Sequence, residues 1–338
     1  MTVQSSPIVV VGAGSVGSFF GAMLARAGHP VTLIARAAHV QAVQHDGLRL
    51  QMRDQTHVVR LTATTELDAV REAGLVLFSV KSRDTDALAR DIAPLLAPHA
   101  LVLSLQNGVE NPQVIARHVR QPVLAAAVYV ATAMPQPGVV RHFGRGELVL
   151  GPAACGAAHD AALARRLQDL KRLFDDAGVP VTLSADVMDE LWAKLVVNCA
   201  YNAISAISGQ PYGRMAAVAA VRELQDAVVR EVLAVARADG RTLDEAQARA
   251  SVEQIARSMS GQVSSTAQDL RAGKPTEIDD LNGLIVRRGT AAGIPTPANQ
   301  ALYALVRLAE AAQRPASVTN AGSDSAPSSV DSDTRRAT

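Results

Sequence analysis

The chain has 338 residues, 48% of them hydrophobic, and its 33 lysines and arginines against 32 aspartates and glutamates leave a net charge of +1. That length exceeds what one core comfortably serves, so two domains are expected, and the balanced charge offers no electrostatic footprint for nucleic acid or an anionic membrane surface. Cys155 and Cys199 stand far apart and outside any C-x-x-C or Cys/His cluster, which excludes a disulfide framework and a structural zinc site. With no basic leader and no uncharged apolar run of about 18 residues, a cytoplasmic enzyme acting on a small molecule is expected, with no metal.

The first element is also the most specific. Residues 8–36 read IVVVGAGSVGSFFGAMLARAGHPVTLIAR: four apolar β-branched residues, a glycine-rich turn, an apolar helix closed by Gly28, and a second strand. Gly12, Gly14 and Gly17 fit G-x-G-x-x-G. The first permits a tight turn, the second lets backbone approach a pyrophosphate, and the third lets helix and strand pack closely. The helix opening at Ser15, Val16 and Gly17 turns its free N–H groups and positive dipole end toward the phosphates. At the tip of the second strand, where an acidic residue would bind ribose hydroxyls, the chain has Arg36, a cation suited to a 2′-phosphate. NADP(H) is therefore favoured over NAD(H); the alternative is a solvated strand-end arginine.

Strand-like runs then recur at HVVRLTATT, GLVLFSV, ALVLSLQNG and PVLAAAVYVATAM, separated by the helical patterns DTDALARDIAPLL and NPQVIARHV. This alternation predicts an α/β Rossmann domain with a doubly wound parallel sheet. GVVRHFG and GELVLG, joined by Gly144 and Gly146, predict a short hairpin appended near the sheet edge. The helix LARRLQDLKRLFDDAG and the strand VPVTLS complete this dinucleotide-binding domain over residues 1–184. From 185 to 313 long helical patterns replace strands, which predicts an all-α second domain carrying substrate-binding and catalytic groups. The tail 314–338 is rich in Ser, Ala and Asp and is expected to be disordered.

Three segments carry candidate chemistry. In LWAKLVVNCAYN, Lys194, Asn198 and Asn202 fall at i, i+4 and i+8 on one face of an otherwise apolar helix. Such a stripe is costly unless it faces a polar cavity or ligand. A lysine desolvated in a cleft can hold and release a proton near neutral pH, which makes Lys194 the candidate general acid for carbonyl reduction; the alternative is a surface lysine with two helix-packing amides. In SSTAQDLRAGKPTEIDDLNG, read as a polar loop, Ser264 or Ser265 can donate to a carboxylate, and Glu277 can accept from a hydroxyl or orient Lys194; Glu277 equally fits a helix-start charge. In LVLSLQNGVEN, Asn107 ends a strand at the carboxyl edge of the sheet, where it can meet nicotinamide and substrate or act as a plain Asn-Gly turn residue. Lys81 likewise follows a strand and is placed to reach a phosphate or ribose, or to be a solvated loop cation.

Taken together, VGAGSVGSFFGAMLARAGHPVTLIAR, FSVKSRDTDAL, LSLQNGVEN, LWAKLVVNCAYNAISAI and SSTAQDLRAGKPTEIDDLNG resemble the ketopantoate reductase family, NADPH-dependent 2-dehydropantoate 2-reductases, from residue 7 to about 312. The five motifs keep the family's order and spacing. The resemblance implies reduction of 2-dehydropantoate to (R)-pantoate, on the route to pantothenate and coenzyme A, with Lys194 as general acid and Asn198 contacting substrate and positioning the lysine. It implies Glu277 in the catalytic site and against the cofactor, Ser265 on the substrate carboxylate, Asn107 against nicotinamide and substrate, Asn202 beside the substrate, and Arg36 and Lys81 on cofactor phosphate. Two departures fall near the substrate: Asn202-Ala203 where many members have Asn-Pro, and the loop Gln210 to Tyr212, where a polar residue, often Asn, is replaced. The family includes paralogues reducing other branched or aromatic 2-oxo acids, and these remain an alternative. So does an NADPH-binding sensor without turnover, although Lys194, Asn198 and Glu277 together exceed what a phosphate cradle needs. A homodimer is left open.

Overall fold

The computed structural model describes residues 6–53, 55–153 and 161–313. Cys155 and the expected disordered tail lie outside these. The first half is built on one ten-stranded sheet of β1 (Ile8–Val11), β2 (Val31–Ile34), β3 (Leu48–Met52), β4 (Gln55–Val59), β5 (Thr62–Thr64), β6 (Leu75–Phe78), β7 (Leu101–Ser104), β8 (Val123–Gln136), β9 (Val139–Pro152) and β10 (Val181–Leu183). Their order is β4-β3-β9-β8-β7-β6-β1-β2-β5, with β10 beside β9.

The central strands β1, β6 and β7 pair in parallel and are buried along their whole length. Continuous apolar runs are what a sheet covered on both faces requires. Alternation divides them. Ile8, Val10, Leu75, Leu77, Leu101 and Leu103 pack on one face with Phe20 and Leu24 of α1 (Ser15–Arg26), whereas Val9, Val11, Val76, Phe78 and Val102 pack on the other with Ile92 of α3 (Thr85–Ile92), which follows α2 (Ala37–Asp46) in the chain, and with Ile115 of α4 (Asn111–Ala116).

The sheet is mixed, not purely parallel, because β8 and β9 are antiparallel over almost their full fourteen residues. The expected short hairpin through Gly144 and Gly146 is thus corrected. The two-residue turn is Pro137-Gly138, with Gly138 at φ +77°, and Gly144 and Gly146 lie inside β9, where the register shifts. Glycine inside a strand marks a bulge as readily as a turn. The run HVVRLTATT is likewise divided between β4 and β5, and β3 was not anticipated.

After α5 (Ala161–Asp176) and β10, the second half is helical: α6 (Val187–Ser208), α7 (Tyr212–Ala216), α8 (Ala219–Ala238), α9 (Glu245–Ser258), α10 (Ser265–Arg271), α11 (Asn282–Ala292) and α12 (Pro297–Gln313). Helix α6 is the axis. It starts where the Asp186 side chain accepts from Asp189 N and ends at Gly209 in the left-handed region, φ +68°, so both ends carry caps of the expected chemistry. Apolar on most sides, it buries Trp192, Leu195, Val196 and Tyr201 among α8, α9, α12 and the back of β8. Lys194 therefore sits on a helix whose position is fixed by core packing. Glu110 of the first half pairs with Arg287 and Arg288 of α11, tying the halves together beside the cleft.

Candidate active site

The glycine turn fits a dinucleotide. A Cβ on Gly12, which adopts φ +86°, would lie 2.8 Å from Val80 N, and one on Gly17 would lie 2.8 Å from Val10 Cγ1 and overlap Ser79 Oγ. At Gly14 nothing approaches closer than Gly12 O at 4.0 Å. Gly12 and Gly17 are thus glycines because the protein packs there, and Gly14 leaves an open cradle at the start of α1, whose N-cap has no side-chain hydrogen bond. The first N–H groups of that helix lack intrahelical partners and carry its positive end, which suits a pyrophosphate.

A hydrogen-bonded line braces this turn from behind. Gly138 N donates to His39 Nδ1 at 3.0 Å, so the proton of the neutral ring is on Nε2, which meets Ser18 Oγ at 3.2 Å; Ser18 in turn donates to Ala13 O at 3.1 Å. Burial holds the His39 pKa below its ordinary value. Arg36 stands two residues beyond β2 at the start of α2, is exposed, and its side chain has no hydrogen bond or ion pair among the described residues, leaving the guanidinium free near the strand tip.

Across the sheet edge from this turn, groups from both halves converge. Lys194 Nζ donates to Asn107 Oδ1 at 2.9 Å, and Asn107 Nδ2 donates to Glu277 Oε2 at 3.3 Å. Lys81 Nζ lies 3.5 Å from the same Glu277 oxygen and 3.0 Å from Asp269 Oδ2. Burial lowers the Lys194 pKa to about 8; the charge of Glu277 opposes this and that of Arg145 adds to it. Burial also disfavours the Lys81 charge, but Glu277 and Asp269 outweigh it and raise its pKa. The two lysines are thus differentiated by their surroundings, one poised to give up a proton and one held as a permanent cation.

Asn107 is fixed by a polar network beneath the strand ends. Asn111 Nδ2 donates to Asn107 O at 2.7 Å and to Ser82 Oγ at 2.9 Å, Thr85 Oγ1 donates to Asn111 Oδ1, and Gln106 Nε2 donates to Thr85 Oγ1 and Val80 O. Gly108, at φ +84°, lets the chain leave β7 while keeping the amide aimed at Lys194. Beside it Asp280, desolvated and close to the Glu277 charge, has its pKa raised to about 6.

On the other side of Lys194 stands Tyr129 of β8, its ring centroid 5.8 Å from Nζ. The Arg145 guanidinium lies over the same ring at 4.6 Å. Arg145 adopts φ +59°, a left-handed conformation that costs a non-glycine residue about 1–2 kcal/mol.

The sequence-predicted residues separate clearly. Lys194, Asn107, Glu277 and Lys81 form one connected group. Asn198 and Asn202 lie one and two turns along α6 from Lys194, and their side-chain amides have no hydrogen-bond partner among the described residues. The predicted polar loop at 264–276 begins as α10. Ser264 is its cap, spending its hydroxyl on Asn202 O and Ala267 N, while Ser265 at the first helical position is exposed. Tyr212, in the departing loop, turns inward onto Tyr201 at 4.8 Å. Sequence reasoning missed Asp269, Asp280, Tyr129, Arg145 and His39. Only Arg145, an arginine between two glycines inside a strand pattern, carried a readable signal.

A Rossmann-type sheet with a phosphate cradle, facing a helical half that delivers a desolvated lysine to the strand ends, defines a dinucleotide-dependent oxidoreductase. Family models agree: "Ketopantoate reductase PanE/ApbA" matches residues 8–154 and "Ketopantoate reductase PanE/ApbA C terminal" matches residues 186–310. The chain belongs to the ketopantoate reductase family. It is 35% identical over 306 residues to a 2-dehydropantoate 2-reductase of Halobacterium salinarum, covering 90% of this chain and 98% of that protein, and 31% identical to that of Vibrio cholerae, covering 90% and 97%. Among solved structures it resembles a PanE/ApbA family ketopantoate reductase from Ralstonia eutropha (51% identity, TM-score 0.83, 91% of this chain and 99% of that one). It also resembles a D-mandelate dehydrogenase bound to NADH and anilino(oxo)acetate (25% identity, TM-score 0.84, 91% and 99%).

Proposed function

We propose that this oxidoreductase reduces 2-dehydropantoate to (R)-pantoate with NADPH. The observation that carries the reading is the Lys194–Asn107 hydrogen bond of 2.9 Å, which holds a lysine of pKa about 8 at the strand ends where an oxo acid would meet the nicotinamide. Arg36, free near the tip of β2, favours a cofactor with a 2′-phosphate. When bound, the nicotinamide supplies hydride to C2 of the oxo acid. Lys194 then gives its proton to the C2 oxygen as negative charge develops there, with a pKa close enough to neutrality for the transfer to be efficient. Asn107 aims the ammonium, and Glu277 supports its charge from behind. The unpartnered amides of Asn198 and Asn202, with the exposed Ser265, hold the substrate's carboxylate and hydroxyl. Closure of the two halves excludes water and strengthens each of these contacts.

The test is loss of NADPH absorbance with 2-dehydropantoate beside a panel of branched and aromatic 2-oxo acids. The highest kcat/KM for 2-dehydropantoate supports the reading. A second reading, reduction of an aromatic 2-oxo acid, is favoured by the Tyr129 ring beside Lys194 and by the likeness to the D-mandelate dehydrogenase; faster turnover of such an acid selects it. Tight NADPH binding without turnover of any 2-oxo acid overturns both.

A further inference from the structure

Strand β9 is bent at Gly144-Arg145-Gly146, with φ of +142°, +59° and +145°. The bend is held in place: His142 Nε2 hydrogen-bonds Arg145 O at 2.6 Å, and the imidazole stacks on Phe19 of α1 with centroids 4.6 Å apart. Its effect is to lay a guanidinium on the face of Tyr129, the ring that also borders Lys194. Arg145 Nε and Nη2 donate to Glu147 Oε1 at 2.7 and 2.6 Å, while Nη1 has no hydrogen bond among the described residues. Two cations, one delivered by the helical half and one by the sheet, therefore share one aromatic wall at the mouth of the cleft. Like charges brought together at a half-desolvated site repel unless an anion lies between them. A guanidinium with an open edge is suited to a carboxylate.

We propose that Arg145 is a specificity-determining residue of this site, its free Nη1 edge adding a charged partner to the carboxylate that Ser265 and the α6 amides also meet, in a 2-oxo acid whose carbonyl oxygen lies on Lys194. The inference rests on the 2-oxo acid reading above and adds what separates an acid from a neutral ketone. Tyr129 sets the spacing of the two cations, and Glu147 holds the guanidinium until the carboxylate arrives.

The experiment compares wild type, Arg145→Gln and Arg145→Lys on a 2-oxo acid and its methyl ester, with NADPH affinity titrated in parallel. Losing one charged hydrogen-bonding partner raises KM for the acid about 10- to 100-fold, with kcat within a few-fold, the ester unaffected and NADPH binding unchanged; Arg145→Lys recovers part of the acid preference. The basic limb of the pH profile moves up in Arg145→Gln, because the Arg145 charge adds to burial in lowering the Lys194 pKa while that of Glu277 raises it. A merely structural arginine would weaken acid and ester alike. Glu147→Gln serves as the second variant: releasing the guanidinium lowers KM for the acid and not for the ester. Unchanged acid-over-ester selectivity in Arg145→Gln overturns the role of Arg145 while the reductase reading stands. A wild-type enzyme that turns over no 2-oxo acid overturns that reading and this inference with it.

Discussion

Lys194 Nζ and Asn107 Oδ1 meet at 2.9 Å although one residue belongs to the central helix of the second half and the other to a strand end of the first. The bond joins the two halves across the cleft, so opening or closing them would act directly on the lysine proposed as proton donor.

Removing that lysine should leave the fold intact and the chemistry crippled. Lys194→Ala is expected to lower kcat about 10²- to 10⁴-fold, the range for a lost general acid, with NADPH binding within a few-fold of wild type by fluorescence titration. With Lys194 as the proposed proton donor, the protonated form would be the active one in the reducing direction. Since the Lys194 pKa is about 8, kcat should be level below that pH and fall above it.

Glu277 acts on the same titration with opposite sign to burial. Its carboxylate favours the ammonium form of Lys194, so Glu277→Gln is expected to shift the basic limb of the kcat profile to lower pH. It also removes one of the two carboxylates holding Lys81. A pH–rate series from about pH 6 to 10 distinguishes this from simple loss of protein.

The two glycines of the turn should fail in different ways. Gly14→Ala meets only Gly12 O, at an unstrained 4.0 Å, so thermal stability is expected to be nearly unchanged while the NADPH Kd rises about tenfold or more, as a blocked pyrophosphate contact demands. Gly17→Ala runs into Ser79 and Val10 and is expected to destabilise by about 1–3 kcal/mol. Thermal melts with and without NADPH separate the cases.

Arg36 tests the cofactor. Arg36→Ala is expected to weaken NADPH by about 10- to 100-fold, the scale of a lost charge-assisted contact, and to leave NADH nearly unaffected. Equal loss for both would move the arginine out of the 2′-phosphate site.

His39 should impose an acid limit on stability. Its folded pKa lies below the ordinary 6.5, so the unfolded chain binds the proton more readily; the stability it contributes is complete above about pH 6.5 and is lost as pH falls toward the folded value. Protonation places an N–H on Nδ1 opposite the Gly138 N–H, breaking the line to Ser18 and Ala13. Melting temperature measured from neutral pH to pH 5 should fall less steeply in His39→Asn than in wild type.

Much of the architecture is legible in the chain because local patterns coincide with global ones. The β-branched run Ile8–Val11, the glycines after it and the helix closed by Gly28 specify a dinucleotide turn with no help from distant residues. The i, i+4, i+8 stripe of Lys194, Asn198 and Asn202 survives folding because α6 runs as one helix through all three and its other sides are largely apolar. Where the reading failed, two outcomes were locally equivalent. Glycines at 144 and 146 suit a turn or a bulge, and only pairing of β9 along all of β8 decides for the bulge. The segment from Ser264 is polar enough for a loop, but the Ser264 cap and burial of Ala267 and Leu270 make it a helix.

By itself the sequence determined the glycine turn and the sheet-then-helix order and singled out Lys194 as a candidate, since each depends on neighbours within one or two turns of chain. Only the tertiary structure decided that Asn107, Glu277, Lys81 and Asp269 form one electrostatic unit with Lys194, and that Arg145 reaches the same ring as Lys194. Those relationships span up to 188 positions of sequence. The lysine's pKa is set by desolvation and charges at a few ångströms, which are properties of the packed cleft and not of any segment that enters it.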